Sequence, residues 1–265
     1  VLYEVDDHGV AVITWNRPER RNMWTSAMED AFYTALDRAT ADEAVRVIVV
    51  TGAGHTFCAG LDPQVLDDIR GGSAYTSNRR PQTYATTVPK MIIGAINGSC
   101  AGIGLVQALC FDYRFAATGA KFTTAFSHRG LPAEDASAWM LTRLVGPAHA
   151  MDLMVSGRVF LSDEAQRLGV VQRLCEPETV LAEAVDYARG IVASVSPVAM
   201  AMICSAALMA ATTSTVRPVT IPSMAAPVRI HSPVAMGRIS MPLVVAMARI
   251  ASTTTTVMPW GSMPI

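Results

Sequence analysis

Thr56-Phe57-Cys58-Ala59-Gly60-Leu61-Asp62 and, further along, Ala95-Ile96-Asn97-Gly98-Ser99-Cys100-Ala101-Gly102-Ile103-Gly104 decide how the rest of this chain is read. Each stretch follows an apolar, β-branched run and leads into a helix start. Each therefore offers backbone N–H groups that no intrahelical carbonyl reaches. Two such donors converging on one point would form an oxyanion hole, which holds an oxygen as it gains negative charge.

The flanking sequence supplies alternating strands and helices. Residues 2–5 and 10–15 read as a hairpin around Asp6-Asp7-His8-Gly9. Residues 22–39 have helical spacing, with Trp24, Met28, Ala31, Phe32, Ala35 and Leu36 on one face. Residues 45–51 form a buried strand by their β-branched content, stopped by Gly52-Ala53-Gly54. Asp62-Pro63 starts a helix, with Asp as the capping residue and Pro in the first helical position. Residues 71–80 are polar and glycine-containing, and read as a mobile loop. Residues 89–96 hold a helix end and a strand, 104–109 a buried helix, and 111–116 and 119–122 two strands. Helices are predicted over 137–144, 148–155, 162–168 and 177–195. This order of strand, glycine-rich turn and helix predicts an α/β fold with right-handed crossovers.

At 265 residues the chain is long enough for a substantial core, as one large domain or a domain with a helical appendage. A net charge of −1, with 16% charged residues, gives no basic surface for nucleic acid or an anionic membrane. No uninterrupted apolar run is long enough to span a bilayer. Val1-Leu2-Tyr3-Glu4 is not a basic region followed by an apolar one, so no signal peptide is expected. Cys58, Cys100, Cys110, Cys175 and Cys204 are odd in number and form no C-x-x-C pair, which favours a reduced, cytoplasmic protein. His8, His55, His149 and His231 have no metal-ligand spacing, so no metal is expected.

The composition changes after Asp186. No Asp, Glu or Lys follows, and Met, Pro, Thr and Ala dominate. Prolines at 218, 222, 227, 233 and 242 would interrupt any long helix. The expected division is a core over 1–200 and a divergent tail over 201–265. From Cys204 on, the composition reads as an out-of-frame segment, which should be poorly packed.

The two glycine-rich segments and their spacing resemble the crotonase (enoyl-CoA hydratase/isomerase) superfamily. The resemblance also rests on Trp15-Asn16-Arg17-Pro18 with Asn22, on Cys110-Phe111-Asp112, Gly130-Leu131, Leu144-Val145-Gly146 and Ser156-Gly157-Arg158. It implies an α/β spiral of ββα units with a helical C-terminal region, assembled as a trimer or hexamer. It also implies an acyl-CoA thioester substrate, an enolate held in the oxyanion hole, and no cofactor beyond the coenzyme A of the substrate. Carried over residue by residue, the donors are the N–H groups of Ala59 and Ile103. The substrate-binding set is Ala59, Gly60, Leu61, Asp62, Gly102 and Ile103. A Rossmann reading of 98–104 fails, because the glycine spacing is not G-x-G-x-x-G.

The sequence departs from the family pattern at the two glutamates that hydratases place around one water. Those positions fall on Val106 and Phe126, and neither side chain transfers protons. Glu134 offers a carboxylate where some isomerases of the superfamily carry one, and is the candidate acid or base. Asp135 is its alternative, and capping of the helix near Ala136 is the competing role for both. Asp62 reads as a helix cap and Cys58 as a small buried thiol. His128 reads as a surface or capping residue. Arg17, Arg20, Arg21 and Lys90 are candidates for coenzyme A phosphates. The expected activity is a lyase or isomerase acting on acyl-CoA through a single carboxylate. A non-catalytic or degraded acyl-CoA binder and a thioester hydrolase are the alternatives.

Overall fold

A computed structural model describes residues 1–70, 80–133 and 137–212. The chain divides after Thr215, and every described element lies in the first unit. The expected loop over 71–80 falls almost wholly outside the described residues, as do Glu134, Asp135 and the tail beyond Thr212.

Three strand–strand–helix turns follow one another. The first is β3 (Val47–Gly52), β4 (Thr56–Cys58) and α2 (Pro63–Arg70); the second is β5 (Met91–Ile96), β6 (Ser99–Ala101) and α3 (Ile103–Leu109). The third is β7 (Tyr113–Ala117), β8 (Lys121–Thr123) and α4 (Ser137–Val145). The first strand of each turn joins a six-stranded sheet and the second a four-stranded one. That alternation is the spiral of ββα units of the crotonase fold.

The larger sheet is completed by β1 (Leu2–Val5), β2 (Val10–Trp15) and β10 (Arg173–Cys175), in the order β1-β2-β3-β5-β7-β10. Only β1 runs antiparallel, through the expected hairpin, with Leu2 opposite Thr14 and Val5 opposite Ala11. The smaller sheet runs β4-β6-β8-β9, closed by the short β9 (Phe160–Leu161).

The larger sheet is covered on both faces, which explains why β3 reads as a continuous apolar run. Alternate residues serve opposite cores. Val47 and Val49 pack with Ala184 and Ala188 of α7 (Val180–Ser194) and with Met200 of α8 (Pro197–Thr212). Ile48 and Val50 face the main core, with Phe32 and Leu36 of α1 (Ser26–Ala41) and an aromatic cluster of Trp15, Trp24 and Phe57. The helices α5 (Pro147–Ser156) and α6 (Ser162–Leu168) complete the order. No single helix among the described residues is long and apolar enough to cross a membrane.

Some sequence expectations shift. The helix expected from residue 22 begins at Ser26, because the Thr25 hydroxyl caps it by accepting from the Met28 N–H (3.2 Å). Trp24 is buried, but it lies ahead of that helix and pairs in a β-bridge with Leu61; Ala31 points to solvent. The strands β4, β6, β9 and β10 were not anticipated, being only two or three residues long.

Arg114 is buried and holds the end of α3 by donating to the carbonyls of Ala108, Phe111 and Val170. Burial pulls its guanidinium down to about 10, so it stays charged at neutral pH.

Candidate active site

The two glycine-rich segments end β4 and β6, which are parallel neighbours in the smaller sheet, with Thr56 opposite Ser99 and Cys58 opposite Cys100. The chain after each strand therefore turns at the same end of the sheet. Gly104 permits the close approach, since a Cβ there would lie 2.6 Å from Cys58 Cβ. At the turns themselves, a Cβ on Gly102 would lie 3.8 Å from Gly60 Cα. The backbones of the two turns thus abut.

Pairing across the first turn determines which N–H is available. The Trp24 N–H donates to the Gly60 carbonyl (2.8 Å), and the Asp62 N–H donates to the Trp24 carbonyl (2.9 Å). Leu61 sits between these two bonds, so its own N–H faces the other way. Among the described residues nothing accepts from it. The Ala59 N–H, by contrast, donates to the Arg21 carbonyl (3.1 Å). That bond commits the donor that the resemblance assigns to Ala59. Sequence reasoning names Leu61 for binding only, because the deciding partner, Trp24, is remote in sequence.

On the second turn, Gly102 precedes the first residue of α3 with φ 50° and ψ −120°. Its N–H donates to the Thr123 carbonyl (3.0 Å), and its carbonyl accepts from the Val106 N–H (3.0 Å). Ile103 is the first helical residue, and its N–H has no intrahelical acceptor. The Ile103 side chain is half-buried against the main core, and the backbone donor is untouched by the side-chain type.

Asp62 is a structural residue. Its carboxylate accepts from the Gln64 N–H (3.2 Å) at the start of α2 and pairs with Arg17 (3.2 Å) and Arg20 (3.4 Å). Burial alone would raise the Asp62 carboxyl. The Gln64 N–H and the two guanidinium groups outweigh it and hold the group below its ordinary value, so it stays ionised. Arg17 and Arg20 are thereby drawn toward Asp62, and Arg17 also donates to the Met23 carbonyl (2.6 Å). Lys90 donates to the carbonyls of Ala39 (2.7 Å) and Asp42 (2.6 Å) at the end of α1, which commits it to capping.

Val106 is buried on α3, and Phe126 is half-buried where it leads into a 3₁₀ turn (Ser127–Arg129). Cys58 is wholly buried, and burial pushes its thiol up to about 12, which suits packing rather than nucleophilic attack. His128 is exposed. Among the described residues no group of three or more His, Cys, Asp or Glu is placed to hold a metal.

Asn22, expected from the sequence as a family-motif residue and as the start of a helix, is instead a hub ahead of α1. Asn22 is fully buried with φ 51°. Its amide donates to the carbonyls of Ala53 (2.9 Å) and Thr56 (2.6 Å), and its oxygen accepts from the Arg17 N–H (2.8 Å). It ties the loop before α1 to the turn that leads into β4.

Comparison with known proteins agrees with this fold. The enoyl-CoA hydratase/isomerase family model matches residues 6–225. The chain is 37% identical over 217 residues to the probable enoyl-CoA hydratase EchA14 of Mycobacterium tuberculosis, covering 81% of this chain and 82% of that protein. It is 33% identical over 190 residues to 1,2-epoxyphenylacetyl-CoA isomerase of Escherichia coli, covering 69% and 72% respectively. The solved enoyl-CoA hydratase EchA12_1 of Mycobacterium marinum superposes with a TM-score of 0.69 at 45% identity, over 78% of this chain and 96% of that one. Abutting glycine turns on a ββα spiral, together with a family match over most of the sequence, have one reading: the chain belongs to the enoyl-CoA hydratase/isomerase family.

Proposed function

We propose that this chain is an enzyme acting on acyl-CoA thioesters, with the N–H groups of Leu61 and Ile103 stabilising an enolate oxygen. The abutting turns at Gly60 and Gly102, each followed by an N–H with no acceptor among the described residues, carry this reading. A thioester carbonyl placed between such donors gains two hydrogen bonds that strengthen as charge develops. The α-proton then becomes easier to remove.

The proton needs a carrier. With Val106 and Phe126 apolar, Glu134 is the carboxylate proposed for that role, with Asp135 next. The transformation proposed is therefore an isomerisation or lyase reaction run by one carboxylate rather than the paired-glutamate hydration. The Ile103 side chain packs against the main core, so its backbone N–H alone is proposed for the oxyanion hole. Assembly as a trimer or hexamer belongs to the same reading; exposed Met151, Val155, Val159 and Leu161 offer apolar surface for it.

Product analysis with a panel of CoA esters tests the assignment. The wild type is expected to convert at least one ester. Glu134→Gln is expected to bind that ester with unchanged affinity and to lose turnover by about 10²-fold, the scale of losing a general acid–base. Turnover retained in Glu134→Gln would move the role to Asp135. Binding without conversion of any ester would replace the enzyme reading by that of an acyl-CoA binder.

A further inference from the structure

Behind the proposed hole lies a chain of buried polar groups that the mechanism does not use. Trp24 and Glu29 are both fully buried, and the Trp24 indole N–H donates to Glu29 Oε2 (2.9 Å). The Gln82 amide donates to the same oxygen. Gln82 Oε1 accepts from Gln107 Nε2 (2.7 Å) and from the Tyr33 hydroxyl (3.1 Å). Gln107 is fully buried and donates a second time, to the Gln82 carbonyl (3.0 Å).

The two ends of this chain sit on the two halves of the hole. At one end, the Trp24 backbone holds Gly60 and Asp62 on either side of Leu61. At the other end, Gln107 belongs to α3, whose first N–H is that of Ile103. Burying the Glu29 carboxyl group and the Gln107 amide costs desolvation energy that apolar side chains would not incur. What directional bonds add is a fixed distance between the elements they join.

We propose that Trp24, Glu29, Gln82 and Gln107 act as positioning residues, setting the spacing between the Leu61 and Ile103 donors. The proposal rests on the oxyanion-hole reading above. None of these side chains needs to touch the substrate. Their effect passes through the backbone of Trp24 and through the helix that carries Gln107. A loosened chain should leave binding of the coenzyme A portion intact and weaken only the grip on the enolate oxygen.

The test uses the full chain and acetoacetyl-CoA, a 3-ketoacyl thioester whose enolate absorbs in the near ultraviolet. A working hole favours the bound enolate and lowers the pH at which it forms. Gln82→Met keeps the volume of a half-buried side chain and removes its bonds. Trp24→Phe removes the indole donor and breaks the chain at its other end, and so provides a second variant should the first fail to fold. In a folded variant, coenzyme A is expected to bind within about threefold of wild type. The midpoint for bound enolate should rise by about one pH unit, a tenfold weaker preference for the charged form. Turnover should fall about tenfold in kcat with KM nearly unchanged. Folded variants with wild-type enolate midpoints would overturn the positioning role and leave the hole intact. A wild type that binds coenzyme A yet never favours the enolate would overturn the hole itself, and the positioning role with it.

Discussion

Ile103→Pro is expected to fold normally and to lose turnover by about 10²–10³-fold, the cost typical of removing one oxyanion donor. Proline is well suited to this position. Ile103 is the first residue of α3, where the N–H has no helical acceptor and the fixed φ of proline matches the helix. The Val106 N–H to Gly102 carbonyl bond (3.0 Å) that opens the helix does not involve the deleted group. The loss should therefore appear in kcat more than in the affinity for coenzyme A, because the donor matters most when the oxygen is charged. Steady-state kinetics checked against circular dichroism would measure it. Wild-type kcat in a folded Ile103→Pro protein would remove this N–H from the mechanism.

Asn22→Ala is expected to destabilise the fold by about 4 kcal/mol. The substitution leaves the carbonyls of Ala53 and Thr56 and the Arg17 N–H without their partner in a partly buried setting. Each orphaned group costs about 1–3 kcal/mol. Asn22 also holds a left-handed backbone (φ 51°), which asparagine tolerates better than alanine. Near the melting temperature this corresponds to a drop on the order of 10 °C for a domain of this size. A thermal melt reads it directly, and a change under about 1 kcal/mol would show that water replaces the amide without penalty. Activity should suffer before the global melt. Asn22 anchors the loop whose Arg21 carbonyl holds the Ala59 N–H, beside the Leu61 donor.

The α/β order was legible because glycine turns and buried strands write strong local signals, and the spiral followed only from the family resemblance that the glycine segments carry. Residues 47–50 had to be buried on both sides, and they are, between the main core and α7. The helix start at Asp62-Pro63 was equally local, since cap and proline are neighbours. What was not legible depends on partners distant in sequence. Ala59 and Leu61 are two residues apart on one turn, and local sequence does not say whose N–H is spent. The answer lies in the bridge to Trp24 and the bond to Arg21. Trp24 is a case of the same kind: its apolar spacing matches the helix face, whereas it lies in an isolated bridge to Leu61 ahead of the Thr25 cap. The run of bonds from Glu29 to Gln82 and from Gln82 to Gln107 joins three separate segments and leaves no spacing signal. A faint one exists in hindsight, because Glu29 shares the helical face of the buried Phe32, Tyr33 and Leu36. An acid in that company must have buried partners.

Two backbone N–H groups donating to a thioester carbonyl, as proposed, would polarise it. The vibrational frequency of that carbonyl in the bound state measures this most directly. Infrared difference spectra of an acyl-CoA labelled with ¹³C at the thioester carbon would isolate the band. The expected result is a band shifted to lower frequency on binding to wild type, with most of the shift lost in Ile103→Pro at equal occupancy. A bound carbonyl at its solution frequency, or an equal shift in both proteins, would contradict the account.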